Sequence, residues 1–336
     1  VNRKSILLAA ALIASAASSG LAQKINGAGA TFPYPIYSKW FSEFSAQHSG
    51  VQINYQSIGS GGGIRQVTSG TVDFGASDVP MTDAQLAESK VKLISLPAVL
   101  GAVVPIYNLP GVNTDLKFSP DVLADMYLGK ISNWDDARIA KDNPGVKLPN
   151  IGINIVHRSD GSGTTFIFTD YLSKVSDEWK NSVGRNSAVS WPKGIGAKGN
   201  EAVAGMVRQL PGTIGYVELI YALQNKISFG YIRNASGTWV KGSIAGVTEA
   251  AASVKAMPSD YRVSITNAPG KNAYPISSFT WLLIPTQPQD ASKGKAIKDF
   301  LNWMLDHGQS EVEALYYAPL PDSVISKVRA SVGQLK

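Results

Sequence analysis

Apolar and polar positions change period along this chain in regular alternation. Val51-Gln-Ile-Asn-Tyr-Gln56 alternates residue by residue, as a strand with one buried face does. Val72 to Ala76 predicts a short strand, and Leu93 to Ile106 is almost wholly apolar, which predicts a strand buried on both faces. Ile151 to His157, Thr213 to Val217 and Ile276 to Ile284 predict further strands. Helix signals lie between them. Thr82 with Gln85 three residues on makes a capping box. Ser119-Pro120-Asp121 puts proline at the favoured first helical position. Helices are also expected after the glycine turn at 59–63, after Gly163, over Gln289 to Leu305 and from about Asp322. This alternation predicts an α/β fold with mainly parallel sheets. Pro105 with the 108–114 turn, and the Pro/Gly/Asn stretch 268–275, are candidate crossings between two sheets. With both crossings real, the first domain is built from both ends of the chain.

The first residues read differently. Arg3 and Lys4 precede an apolar run from Ile6 to Ala14, and Gly20-Leu21-Ala22 is a small-x-small cleavage pattern. This predicts a secretory signal peptide over 1–22, cut after Ala22. The run is too short for a membrane span, which needs about 20 residues. No cysteine follows it, so no lipid anchor is expected. The rest of the chain carries 29 − 25 = +4, since only Arg3 and Lys4 are lost from 31 basic and 25 acidic residues. An exported chain without an anchor points to the periplasm.

Composition then narrows the chemistry. The 336 residues suggest two domains at roughly 150 residues each. The absence of cysteine excludes disulfides, thiolate metal sites and a cysteine nucleophile. Histidines at 48, 157 and 307 are too scattered for a zinc site, so no metal and no cofactor are expected. Lys and Arg form no run, so no nucleic acid is expected as a partner.

Three turns share one chemistry: Gly27-Ala-Gly-Ala-Thr31-Phe32-Pro33, Ile58-Gly-Ser60-Gly-Gly-Gly63, and Arg158-Ser-Asp160-Gly161-Ser162-Gly163-Thr164-Thr165. Each joins glycine to a hydroxyl ahead of a helix-compatible stretch. Glycine lets backbone N–H groups come close to a ligand, and a helix's first turn favours an anion. One such turn is ordinary capping. Three of them, with Arg158 supplying a planar charged fork, point to oxyanion binding. Asp160 is placed either to pair with Arg158 at the surface or to hold its guanidinium in position. Rival motifs are weaker. Gly129-Lys130 lacks the rest of a P-loop. Gly194-Ile-Gly196-Ala-Lys-Gly199 follows Trp191-Pro192-Lys193, a poor strand end for a dinucleotide fingerprint. Asp160-Gly-Ser162-Gly163 has Asp where a nucleophile elbow has glycine.

The three turns, with Val72-Asp-Phe-Gly-Ala-Ser-Asp78, Tyr127-Leu-Gly-Lys-Ile-Ser-Asn-Trp134, Gly212-Thr-Ile-Gly-Tyr-Val-Glu218 and Tyr317-Ala-Pro-Leu-Pro-Asp322, resemble the PstS family of phosphate-binding proteins over essentially the whole chain after residue 22. The resemblance implies a two-lobed periplasmic substrate-binding protein fold with two hinge crossovers: lobe I from 23–106 plus 275–336, lobe II from 107–274. It implies inorganic phosphate as ligand, and the permease and ATPase subunits of the phosphate ABC transporter at the inner membrane as partners. Contacts to phosphate carry over to Thr31, Phe32 (through its N–H), Ser60, Asp78, Arg158, Ser162, Gly163 and Thr164, with Asp160 steering the arginine. Gly61 stands where some relatives have a second serine. Asp78 on its own reads equally as a cap for Pro80–Glu88; the resemblance implies a ligand role. A carboxylate beside an anion is tolerable if the anion carries a proton to donate, as phosphate does and sulfate at neutral pH does not. A secreted phosphatase using the same anion cradle is the alternative function; a binding protein with no catalytic residue is the expected one.

Overall fold

The computed structural model describes residues 23–335, so the expected signal peptide lies outside the described residues. Twelve strands run in chain order: β1 (Gln23–Gly29), β2 (Val51–Ser57), β3 (Phe74–Ser77), β4 (Leu93–Asn108), β5 (Lys117–Phe118), β6 (Asn154–Arg158), β7 (Ile195–Ala197), β8 (Thr213–Glu218), β9 (Ser228–Phe229), β10 (Tyr231–Arg233), β11 (Trp239–Val240) and β12 (Ser277–Pro285). Nine of them form one sheet in the order β2-β1-β3-β12-β4-β8-β6-β7, with β9 also on β4; β11-β10-β5 form a small second sheet.

The strands expected from periodicity are present with ends shifted by a few residues. The expected mainly parallel pairing is not. β1 pairs parallel with β2 and β3, and β6 with β7 and β8. The middle of the sheet, β12 against β3 and β4 and β4 against β8 and β9, is antiparallel. Alternation and apolar runs report burial, not direction, and the strands that return the chain across the sheet run against their neighbours.

β4 is central because its composition permits it. Its sixteen residues are buried from Leu96 to Tyr107, as a strand covered on both faces must be. Its partner changes along its length. Residues from Leu93 to Ala102 pair with β12; residues from Val103 to Asn108 pair with β8. At that seam the Val103 N–H donates to the Ile276 carbonyl at 2.8 Å, and the Tyr274 hydroxyl donates to the Val103 carbonyl at 2.9 Å. One strand thus serves the sheets of both lobes.

β12 carries one irregularity. Its register slips between Thr280 and Trp281, opposite Val99 and Pro97, leaving Ala98 without a cross-strand partner. Pro97 has no N–H to give the ladder, so a bulge there is expected. The Ala98 carbonyl is taken by Gln309 Nε2 at 2.9 Å.

Helices cover the sheet. The helix Tyr34–Gln47 buries Ile36, Tyr37, Trp40, Phe41 and Phe44, one face at helical spacing. The second glycine turn differs from its sequence reading. The helix starts inside it, at Ser60, and runs to Thr68. The glycines let it lie directly on β1 and β3: a Cβ at Gly63 would sit 2.5 Å from Gly29 Cα. The Thr82–Gln85 capping box is formed in both directions. Among the described residues no helix is long and apolar enough to cross a membrane.

Candidate functional site

Four helices of eight or more residues begin at one place between the lobes: Tyr34–Gln47, Ser60–Thr68, Gly163–Val175 and Gly199–Gln209. Three of these starts are the turns singled out in the sequence. The fourth is the end of the Gly194-x-Gly196-x-x-Gly199 stretch, where Gly199 takes φ +80°. Free N–H groups at four helix starts make a strongly anion-attracting locus.

The expected residues are brought together there and are buried: Thr31, Phe32, Ser60, Asp78, Arg158, Ser162 and Thr164 all lie in the interior. Gly163 lies so close to the opposite wall that a Cβ on it would sit 2.4 Å from both Asp78 Oδ2 and Ser60 Oγ. The lobes touch across the locus. Gly61 N–H donates to the Gly161 carbonyl at 2.9 Å, and the Tyr221 hydroxyl donates to the Thr31 carbonyl at 2.6 Å.

The hydrogen bonds give this locus a direction. Ser60 Oγ accepts from the Asp78 N–H at 3.1 Å, and Ser162 Oγ from the Thr165 N–H at 3.0 Å. Thr164 Oγ1 accepts from Arg158 Nη1 at 3.3 Å and from Asn200 Nδ2 at 3.1 Å. Thr31 Oγ1 accepts from Asn200 Nδ2 at 2.7 Å. A hydroxyl has one proton and two lone pairs. Each of these hydroxyls receives an N–H from the protein; Thr31, Ser162 and Thr164 have their protons left to give, while Ser60 Oγ gives its proton to Asp78 Oδ2 in a long contact of 3.5 Å.

Two carboxylates flank the locus. Arg158 Nε and Nη2 clamp Asp160 Oδ1 and Oδ2 at 2.7 and 2.5 Å, and Asp160 Oδ1 also takes the Gly199 N–H at 3.1 Å. Burial pushes the Asp160 carboxyl up, but the Arg158 bonds and charge outweigh it and hold it below the ordinary carboxylate value. The fork leaves Arg158 Nη1 facing Thr164. The ion pair lies away from the open surface, with Arg158 buried and Asp160 half-buried. Asp78 is different. Its Oδ1 accepts from Thr280 Oγ1 at 2.7 Å, and Oδ2 has only Ser60 Oγ at 3.5 Å. Burial pushes its carboxyl up to about 7, against the Thr280 bond, the Arg158 charge and the Ser60 bond. Asp78 does not cap the following helix; Thr82 does.

Sequence reasoning missed four residues of this site. Asn200 ties Thr31 to Thr164, and its Oδ1 takes the Glu218 N–H at 3.1 Å. Thr280, beside the irregularity in the β4–β12 ladder, holds Asp78. Tyr221 and Tyr317 donate to the carbonyls of Thr31 and Phe32, both at 2.6 Å. Asn200 left a local signal, as the residue after a glycine that opens a helix, and Tyr317 stands in one of the blocks that carry the resemblance, without a role attached. Glu218 is buried beside them with Oε2 on the Ile220 N–H and Oε1 without a hydrogen bond, and burial drives its carboxyl well above the ordinary value. His157 stacks on Trp191 with ring centres 4.9 Å apart and takes no part. A cleft of about 790 Å³ opens beside the locus along Gly61, Gly161, Arg65 and Arg185, and none of the residues named in the hydrogen-bonded locus lines it except Gly61 and Gly161.

Residues 14–307 match the family described as "PBP superfamily domain". The phosphate-binding protein PstS of Xylella fastidiosa (strain Temecula1 / ATCC 700964) is 48% identical over 309 residues, 91% of this chain and 84% of that one. The PstS of Pasteurella multocida (strain Pm70) is 45% identical over 329 residues, 97% of this chain and 95% of that one. Among solved structures, the periplasmic phosphate-binding protein PfluDING bound with phosphate superposes with a TM-score of 0.73 at 23% identity, over 92% of this chain and 94% of that one. A phosphate-bound ABC transporter substrate-binding protein from Clostridium perfringens superposes at 0.65 and 17%, over 89% and 100%. At those identities the two structures speak for the fold.

Proposed function

The chain belongs to the PBP superfamily and, within it, to the PstS family of phosphate-binding proteins, and from that membership we propose that it binds inorganic phosphate in the periplasm and delivers it to the permease of a phosphate-specific ABC importer. The observation that carries this reading is the hydrogen-bond polarity of the buried locus. Four hydroxyls receive N–H groups; Thr31, Ser162 and Thr164 keep their protons for a ligand, and Asp78 Oδ2 is an acceptor held only by the long Ser60 contact. A tetrahedral oxyanion with one or two protons of its own matches that set.

In this reading Thr31, the Phe32 N–H, Ser60, Ser162, the Gly163 N–H, Thr164 and Arg158 donate to phosphate oxygens. Asp78 accepts the ligand's proton, and Asp160 aims the arginine. Sulfate brings no proton at neutral pH, so with Asp78 ionised two acceptors would face each other in a site closed to water. A site built to bond a ligand hydroxyl rejects an analogue without it by about 10⁴–10⁵. The lobes are 23–106 with 275–336, and 107–274, hinged where β4 changes partners. No catalytic step is assigned: the hydroxyls are already committed as donors, and no histidine lies among them. Permease and ATPase subunits are the expected partners, phosphate the only ligand.

Calorimetry on residues 23–336, freed of bound anion by unfolding and refolding, tests this. One phosphate per chain at micromolar or tighter affinity, with no heat from sulfate at neutral pH, is expected. Equal binding of both anions would leave a general oxyanion receptor. A folded sample that binds neither would overturn the reading, and turnover of a phosphomonoester would replace it with an enzyme.

A further inference from the structure

We propose that Asn200 sets the proton polarity of the binding site, a positioning role that rests on the phosphate reading above. Its amide is held one way round, and that orientation decides where two ligand-facing hydroxyls send their protons.

A side-chain amide presents a donor end and an acceptor end. Which end is which follows here from a group that has no choice. The Glu218 N–H can only donate, and it meets Asn200 Oδ1 at 3.1 Å. Nδ2 therefore faces the other way, toward Thr31 Oγ1 at 2.7 Å and Thr164 Oγ1 at 3.1 Å. Both hydroxyls must accept from it. Each also receives a second N–H: Thr31 from the Asn200 backbone at 3.3 Å, Thr164 from Arg158 Nη1 at 3.3 Å. With both lone pairs engaged, only the proton of each hydroxyl is uncommitted, and among the described residues nothing accepts it. Asn200 is fully buried, so water does not compete for its amide.

The arrangement also crosses the cleft. Thr31 precedes the helix Tyr34–Gln47, while Thr164 and Asn200 belong to the helices Gly163–Val175 and Gly199–Gln209. Thr31 is thus a free rotor until the two sides meet, and its proton is aimed only then. Its partners bring the titratable groups: Thr164 is bonded to Arg158, which holds Asp160; Glu218 faces Tyr317 and Asp78; and Tyr221, bonded to the Thr31 carbonyl, faces Glu201 and Glu218.

Asn200→Asp keeps the shape and reverses the polarity. A carboxylate accepts from Thr31 and Thr164, drawing their protons off the ligand, and it adds a negative charge nearby. Phosphate affinity measured by calorimetry is expected to fall by on the order of 100-fold at about pH 8, against roughly tenfold for Asn200→Ala, which leaves both hydroxyls free to turn. The Asp variant's deficit, taken against the parent at the same pH, should shrink toward that of the Ala variant by about pH 5, because burial raises the introduced carboxyl above its ordinary value and its protonated form donates again. In a Thr31→Val background part of the Asp effect should vanish.

Asp and Ala variants equally weakened at every pH would reduce Asn200 to a packing residue and overturn the proposal. Full affinity in Asn200→Asp would overturn it too. If Asn200→Asp does not fold by its thermal transition, the cycle of Asn200→Ala with Thr31→Val decides: coupled losses are expected, and additive losses would reject the idea. A parent that binds no phosphate would instead sink the functional reading, with the Asn200 geometry unaffected.

Discussion

The two walls of the site each set one aspartate against the locus, Asp78 buried and Asp160 half-buried, and the pair behaves in opposite ways. On the second-lobe wall Asp160 is forked to Arg158 and held ionised. On the first-lobe wall Asp78 meets hydroxyls, Thr280 and Ser60, and burial lifts it to about 7. Two aspartates within one anion site thus do different work because of their neighbours, not their chemistry. Asp160 spends its charge inside the protein. Asp78 keeps one oxygen for whatever enters.

That contrast can be broken most visibly at Asp78. Asn in its place offers an N–H where the carboxylate offered only lone pairs. Competition between phosphate and sulfate should then lose most of its selectivity, by as much as about 10⁴-fold. A variant that still excludes sulfate like the parent would show that selectivity lies elsewhere. The arginine comes next. Arg158→Lys keeps the charge but cannot fork Asp160 and reach Thr164 at once, so phosphate affinity should drop by roughly 100-fold. Unchanged affinity would mean that charge alone suffices. Asp160→Asn should cost less, about tenfold, with sulfate exclusion kept, since it loosens the guanidinium without removing it. A larger loss than that of Arg158→Lys would make Asp160 a direct contact.

The smallest effect separates the walls by pH. For Asp78 the folded form binds its proton more tightly than the unfolded chain does. Without bound anion its contribution to stability is therefore full below about pH 4. It is lost as pH rises to about 7, by at most a few kcal/mol. Asp160 has the opposite sign: its contribution is present above the ordinary carboxylate value and is lost in acid. Denaturant melts across pH should show Asp78→Asn flattening the neutral-side loss and Asp160→Asn flattening the acid-side one. Glu218 adds to the loss on the alkaline side in both proteins, so the difference from the parent is the quantity to read.

How much of this was written locally in the chain follows the same division. The glycine-hydroxyl turns announce themselves because a helix start needs its cap within a few residues, and Arg158 and Asp160 are two apart. Strands such as β4 declare their burial through an unbroken apolar run. What stayed hidden is reached through the fold. Thr280 is brought to Asp78 from 202 residues away by the pairing of β12 with β3, which no periodicity encodes. Tyr317 reaches Phe32 across 285 positions. The antiparallel centre of the sheet was hidden too, because strand direction leaves no mark on composition. Asn200 falls between these cases. Its glycine-rich lead is visible in the sequence, but there it resembles a nucleotide motif.

The strand shared by both lobes bears on how the protein comes to be made. β4 leaves a growing chain with its neighbour β8 about a hundred residues behind it and its neighbour β12 nearly two hundred. Until Ser277–Pro285 emerges, the half of β4 from Leu93 to Ala102 has an open edge of apolar residues, which is the surface on which unfinished chains stick to one another. Pairings this distant in sequence also form slowly. A chain cut before residue 277 should therefore aggregate rather than fold as a stable half-molecule. The complete chain should collapse slowly and late, when its own C-terminal segment closes that edge.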